Sequence, residues 1–134
     1  MKKIPFIRFI PGIFWFIVVL ITIIIPRQDI PKGSEWLDLI LDLDKMIHAV
    51  MFGILAFLFM YPFVSSDHSN HRKQRFLFII ALVTCIWGYI TECIQLFVPG
   101  RSYDMVDWTA DSLGCFFAWL IAKKMLSKNN RSQP

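Results

Sequence analysis

Residues 9–25 read FIPGIFWFIVVLITIII, an almost unbroken run of apolar side chains. A bilayer hydrocarbon core of roughly 30 Å needs about 20 mostly apolar residues in a helix, and this run approaches that length. Pro11 and Gly12 lie near its start, where a missing backbone donor does least harm. The run therefore predicts a transmembrane α-helix.

Three further windows of similar length follow, at about residues 45–64, 76–98 and 105–126. Their apolar residues form long blocks. In water-soluble proteins, apolar residues instead alternate with polar ones along a strand or form one face of a helix. The composition agrees, because 56% of the residues are hydrophobic and 18% are charged, with a mean hydropathy of +0.54. We predict an all-α integral membrane protein, a single membrane domain over residues 1–134 that forms a bundle of four transmembrane helices.

Basic residues mark one membrane face. They precede the first window, lie between the second and third, and lie in the last turn of the fourth or after it: Lys2, Lys3, Arg8, Arg72, Lys73, Arg75, Lys123, Lys124, Lys128 and Arg131. The positive-inside rule assigns this face, and with it both termini, to the cytoplasmic side of the membrane. Because topology accounts for the net charge of +4, the lipid bilayer is the predicted partner and nucleic acid is not.

The segment GSEWLDLILDLD, residues 33–44, precedes the second window. Its acids alternate with Trp and Leu, as in a short amphipathic helix at a membrane interface. We predict an interfacial helix over residues 34–43 on the outer face, with an ordinary loop as the alternative.

Pro99 and Gly100 fit the two central positions of a type II turn, because Gly supplies the positive φ that this turn needs. A tight reversal there makes the third and fourth helices antiparallel neighbours, so residues equally far from the turn face each other. We therefore predict that Gln95 lies at the level of Asp107 and that Glu92 lies at the level of Asp111.

Polar and small residues form one stripe on each of these helices, at spacings of three or four residues. The stripes consist of Thr84, Gly88, Thr91, Glu92 and Gln95 on the third helix and Asp104, Asp107, Asp111, Gly114 and Ala118 on the fourth. Small residues let helices approach closely in lipid, so Gly88, Gly114 and Ala118 are predicted to have structural roles. The second helix adds Lys45 and His48 at the same depth.

An ionisable group inside a bilayer costs roughly 2.5–3.5 kcal/mol at a helix centre, so several together must face one another or water. We predict that they share a polar pocket that opens to the outside. Its binding residues are Lys45, His48, Glu92, Gln95, Arg101, Asp107 and Asp111. The alternative is a network of interhelical hydrogen bonds with no ligand.

The ordered residues also resemble a known family. The series Asp44-Lys45-x-x-His48, Gly88-x-x-x-Glu92-x-x-Gln95-x-x-x-Pro99-x-Arg101 and Asp107-x-x-x-Asp111-x-x-Gly114 is similar to VanZ-like proteins. The resemblance covers the second to fourth helices and implies a small bacterial cell-membrane protein associated with low-level resistance to the glycopeptide teicoplanin. The resemblance therefore implies a resistance phenotype but no particular biochemical reaction. Asp111 departs from the family pattern, which more often has Asn, and the added acid favours a bound cation.

Two functional hypotheses follow. In the first, the pocket binds an amphiphile such as a lipid-linked cell-wall precursor or the acyl tail of a lipoglycopeptide, with Arg101 and Lys45 holding phosphate or carboxylate. In the second, the protein is a hydrolase or transferase acting on a lipid headgroup, with acid/base or metal assistance. The candidate catalytic residues, which are also the candidate ligands of a divalent cation, are His48, Glu92, Asp107 and Asp111.

Overall fold

The computed structural model describes residues 4–25 and 35–131. A 3₁₀ turn at Phe6–Phe9 leads into helix α1, Ile10–Ile24, and the other helices are α2, Glu35–Val64, α3, Asn70–Gln95, and α4, Met105–Arg131. No strand occurs among these residues, so the predicted all-α class is confirmed. Pro11 lies in the first turn of α1, where its missing N–H costs no helical hydrogen bond.

The segment predicted as an interfacial helix belongs to a longer element. Residue 34 lies outside the described residues, and residues 35–43 are the first part of α2, which continues unbroken to Val64. No Pro or Gly occurs between Glu35 and Phe52, so nothing in the backbone ends a helix before the second hydrophobic window.

Within residues 4–25 and 35–131, three segments are long and apolar enough to cross a membrane: Phe6–Ile24, Asp44–Val64 and Asn70–Gln95. They leave large apolar side chains on the outer surface, such as Phe14 and Ile86, as lipid-facing helices do. Helix α4 carries the acids Asp107 and Asp111 within its first two turns and is not among these three segments.

The connection between α3 and α4 is a tight turn, as predicted. Gly100 has a φ of 77°, and the N–H of Arg101 donates to the Val98 carbonyl over 3.1 Å. This value of φ is the one that the second central position of a type II turn requires, and glycine adopts it without steric cost.

Helix α4 packs most extensively against α2 and then against α3, while α1 lies on α2 at the edge of the bundle. The small face of α4 therefore meets α2. A Cβ atom added at Gly114 would overlap the Ala49 carbonyl, and one added at Gly53 would lie 3.2 Å from the Gly114 oxygen. The core between the helices includes Phe52, Leu55, Met60, Leu77 and Leu126.

Two contacts show which elements lie at the end of the bundle that carries the basic residues, which we call the basic end. The Arg8 guanidinium donates to the Ser65 carbonyl over 3.4 Å, and the Lys73 ammonium donates to the Val64 carbonyl over 3.3 Å. The start of α1 and the α2–α3 connection therefore lie at the same end. The α3–α4 turn lies at the opposite end, where Arg101 contacts the end of α1.

Candidate functional site

Three helices bring ionisable side chains together at the end of the bundle that contains the α3–α4 turn. Lys45 and His48 come from the first half of the membrane-length part of α2, Glu92 comes from the last turn of α3, and Asp107 and Asp111 come from the first two turns of α4. We call these five residues the polar cluster. The antiparallel pairing of α3 and α4 explains why residues on either side of the turn share one depth.

The contacts of the cluster run inward from the surface. The Lys45 ammonium lies 3.6 Å from Asp107 Oδ1, and His48 Nε2 lies 4.0 Å from Asp107 Oδ2. On the other side of its ring, His48 Nδ1 is 3.0 Å from Asp111 Oδ1. The exposed fraction of the side chains falls from 45% at Lys45 to 9% at Asp107 and 0% at Asp111. The cluster therefore has one exposed mouth and one buried end.

Glu92 lies at the buried end and is tied to the start of α4. It is fully buried, and its Oε2 accepts the Asp104 backbone N–H over 3.1 Å. Asp104 Oδ1 in turn accepts the Val106 N–H over 2.8 Å, which makes Asp104 the N-cap of α4. Asp104 also lies 3.8 Å from the Lys45 ammonium. It therefore belongs to the mouth of the site, although sequence reasoning placed it only on the acidic stripe.

Arg101, predicted as a binding residue, contacts the end of α1. Its Nη2 donates to the Thr22 carbonyl over 2.9 Å and its Nε donates to the Ile25 carbonyl over 3.4 Å. The last carbonyls of a helix have no partner within the helix, so this guanidinium caps α1. Through these contacts Arg101 holds the end of α1, and the cation within the polar cluster itself is Lys45.

A small cavity of about 50 Å³ lies beside the cluster, between α1, α2 and the α3–α4 turn. Its polar wall consists of Thr22, Asp44, His48, Gln95 and Arg101. Gln95 is 2% exposed, and its side-chain Nε2 has no hydrogen-bond partner among the described residues. The cavity has room for water but not for an acyl chain.

The predicted structural residues lie where close approach is needed. A Cβ at Gly88 would be 3.1 Å from Asp111 Oδ2, so the glycine leaves room for that carboxylate. Gly114 contacts α2, and Ala118 is buried on the same face of α4. Pro99 and Gly100 form the turn that brings α3 and α4 together.

The geometry offers two groupings of side chains that could hold a metal ion, both of which include His48. One consists of Asp44, His48 and Asp107, and the other of His48, Glu92 and Asp111; within each, one potential ligand atom per residue lies within 4.8 Å of the others. The same arrangement could hold a proton, since an imidazole flanked by carboxylates is a common acid/base unit. The site thus combines a mouth, where the Lys45 ammonium faces the carboxylates of Asp104 and Asp107, with a buried acidic end.

Comparison with known proteins gives one family and one relative. The family model described as VanZ/LLP1 matches residues 5–127. A fission yeast protein, the uncharacterized protein C11E3.10 of Schizosaccharomyces pombe, is 31% identical over 78 residues, which cover 58% of this chain and 45% of the yeast protein. The chain thus matches less than half the length of that relative. No solved structure gives a significant match.

Proposed function

The chain belongs to the VanZ/LLP1 family, and we propose that it is a bacterial cell-envelope membrane protein whose polar cluster forms a pocket for an amphiphilic ligand. In this proposal α4 is the fourth span, the basic end and both termini are cytoplasmic, and the pocket opens on the outer face. The ligand is a lipid-linked cell-wall precursor or the acyl tail of a lipoglycopeptide. Binding it contributes to resistance to teicoplanin-type glycopeptides.

The observation that carries this proposal is the graded burial of one connected set of charges. Lys45 is 45% exposed at the mouth, and behind it Asp107 and His48 lead to a fully buried Asp111. Ionisable residues within membrane spans are rare, face the bundle interior or a water-filled cavity, and commonly mark a functional site. A cation at the mouth favours a ligand with a phosphate or carboxylate headgroup.

An apolar groove next to the mouth suits the rest of an amphiphile. It has a volume of about 390 Å³ and lies along the seam of α2 and α4, where it begins at Ala49 and Val50, about one turn below Lys45. Its further lining includes Gly53, Phe117 and Ile121. A headgroup held at Lys45 would place its chain in this groove.

Neutralising Lys45 tests the proposal. We expect Lys45→Gln to weaken ligand binding by about tenfold, because a charge-assisted hydrogen bond is worth about 1.5–3 kcal/mol. Cells that carry the variant at equal protein abundance should become more susceptible to teicoplanin. Lys124→Gln removes the same charge from the exposed face of α4 and serves as the matched control. Equal susceptibility of the two variants would count against the pocket.

A second candidate function is acid/base catalysis on a lipid headgroup. The contact that favours it is the 3.0 Å approach of His48 Nδ1 to Asp111 Oδ1, which would fix the ring and leave Nε2 free to take a proton from an attacking water or hydroxyl. Such an enzyme would be a hydrolase or transferase for a lipid-linked envelope substrate.

Turnover by the purified protein distinguishes the two candidates. If the protein is an enzyme, His48→Gln should abolish hydrolysis of a phospholipid or polyprenyl phosphate, a loss of about 100-fold or more. His71→Gln, at the exposed start of α3, should leave the rate unchanged. Absence of turnover in the unsubstituted protein would exclude catalysis on these substrates and leave ligand binding as the proposed function.

A further inference from the structure

We propose that the buried end of the pocket binds one divalent first-row metal ion through His48, Glu92 and Asp111. One potential ligand atom from each of these side chains lies within 4.8 Å of the other two. The three residues come from α2, α3 and α4, so an ion at this point would join the three helices. The inference rests on the pocket of the proposed function and adds a cofactor to it.

Unpartnered oxygens point to a ligand. Glu92 and Asp111 are both 0% exposed, and within the described chain Glu92 Oε1 and Asp111 Oδ2 have no hydrogen-bond partner. A buried carboxylate oxygen without a partner is costly, so buried carboxylates in proteins are paired or coordinate metals. A metal ion would satisfy both oxygens at once.

The charge balance points the same way. Glu92 and Asp111 together carry two negative charges when ionised, and the group within hydrogen-bonding distance of Asp111 is the His48 imidazole, which contributes at most one positive charge. The Lys45 ammonium lies instead against Asp107, 3.6 Å away. A divalent cation compensates both carboxylates and leaves the imidazole neutral, the form in which histidine binds metals.

The second acidic grouping is a weaker candidate. It uses Asp107, whose Oδ1 already faces the Lys45 ammonium, and Asp44, which is only partly buried. A metal ion there would have to compete with the lysine and with water. The two groupings lie on opposite sides of the His48 ring, because Nδ1 faces Asp111 and Nε2 faces Asp107. Asp107 Oδ1 also has no hydrogen-bond partner among the described residues, but Asp107 is 7% exposed, whereas the Asp111 side has two such oxygens on residues that are 0% exposed.

The donor set indicates which metal ions fit. One imidazole nitrogen with two carboxylates suits Zn²⁺ or Mn²⁺, whereas Ca²⁺ prefers six to eight oxygen ligands and soft ions prefer sulfur. Three protein ligands leave a coordination position open. A water molecule or an oxygen atom of a ligand would take that position.

Gly88 fits this interpretation as a positioning residue. It faces Asp111 from α3, and a Cβ there would lie 3.1 Å from Asp111 Oδ2 and 3.2 Å from Asp111 Cβ. The unpartnered oxygen thus occupies space that any larger residue would restrict. Gly88→Ala would shift the Asp111 carboxylate while keeping all three proposed ligands.

Metal titration of the full-length protein tests the inference. The protein is purified in detergent without a histidine tag, with His68→Gln and His71→Gln in every sample so that the loop histidines do not compete, and Zn²⁺ or Mn²⁺ alone is added. Isothermal titration calorimetry should give one ion per chain. Asp111→Asn and Glu92→Gln should each lower the affinity by more than about 100-fold, because even outer-shell changes cost about 10–100-fold.

Two further variants separate loss of ligands from loss of fold. Gly88→Ala, which removes no ligand, should lower the affinity by about tenfold, and Asp67→Asn, outside the cluster, should leave it unchanged. A protein that binds neither ion, or an Asp111→Asn variant that binds Zn²⁺ as tightly as the parent, would overturn the inference. If no ion binds but Lys45→Gln still raises teicoplanin susceptibility, the metal site fails and the ligand pocket stands.

Discussion

Gly114→Ala is expected to lower the free energy of unfolding by about 3 kcal/mol, at the upper end of the cost of overpacking. The new Cβ would overlap the Ala49 carbonyl oxygen and lie 2.8 Å from the carbonyl carbon. Both atoms belong to the backbone of α2 and cannot rotate away, so α2 and α4 must separate. Their seam is the most extensive contact between the described helices, and the polar cluster spans it.

Gly12→Ala is the matched control for this substitution. It also adds one methyl group to a buried helical glycine, but the nearest atoms, at 3.3–3.4 Å, belong to the Phe59 ring, which can adjust. We expect Gly12→Ala to change the free energy of unfolding by less than about 1 kcal/mol. Unfolding in mixed micelles of increasing SDS content, followed by circular dichroism, gives both values. Similar losses in the two variants would contradict the close approach at Gly114.

The second large effect is expected for Asp111→Leu, which removes the carboxylate next to His48. The buried Nδ1 loses a partner at 3.0 Å, and breaking a buried polar pair on one side costs about 3 kcal/mol. The double variant His48→Leu with Asp111→Leu should regain most of that loss, because an apolar pair leaves nothing unsatisfied. Neither variant should support ligand or metal binding.

A double-mutant cycle measures the coupling. The single variants His48→Leu and Asp111→Leu, the double variant and the parent are unfolded under the same conditions, and we expect a coupling of about 2 kcal/mol. Additive losses would show that the two side chains do not stabilise each other. Asp67→Leu, outside the cluster, controls for the general effect of replacing an acid with leucine.

Local sequence chemistry was sufficient to predict the turn between α3 and α4 and the depth at which the polar cluster lies in the bundle. Gly in a Pro-Gly pair strongly favours a positive φ at that position, and Gly100 has a φ of 77°. Once the two helices are antiparallel, spacing alone brings Glu92 near Asp111. The buried stripe of α3, from Thr84 to Gln95, follows in the same way from helical periodicity.

Residue spacing does not determine which neighbour a helix packs against or which way a long side chain points, so these features could not be predicted. A small-residue face shows that a helix packs closely but not against which neighbour, and Gly114 packs against α2. An arginine side chain at a turn can point to a ligand or to a helix end, and Arg101 points to α1 because the carbonyls there need donors. The N-cap role of Asp104 was accessible from sequence, since Asp is a preferred residue just before a helix.

The α3–α4 turn supports two parts of the molecule at once. Arg101 holds the carbonyl end of α1, and Asp104, a few positions further along, holds Glu92 through its backbone N–H. The first helix contributes no charge to the polar cluster, yet any tilt of that helix in the bilayer would pull on the segment that sets the position of Glu92. A change in bilayer thickness that tilts α1 would thus be transmitted, through Arg101 and Asp104, to the Glu92 carboxylate.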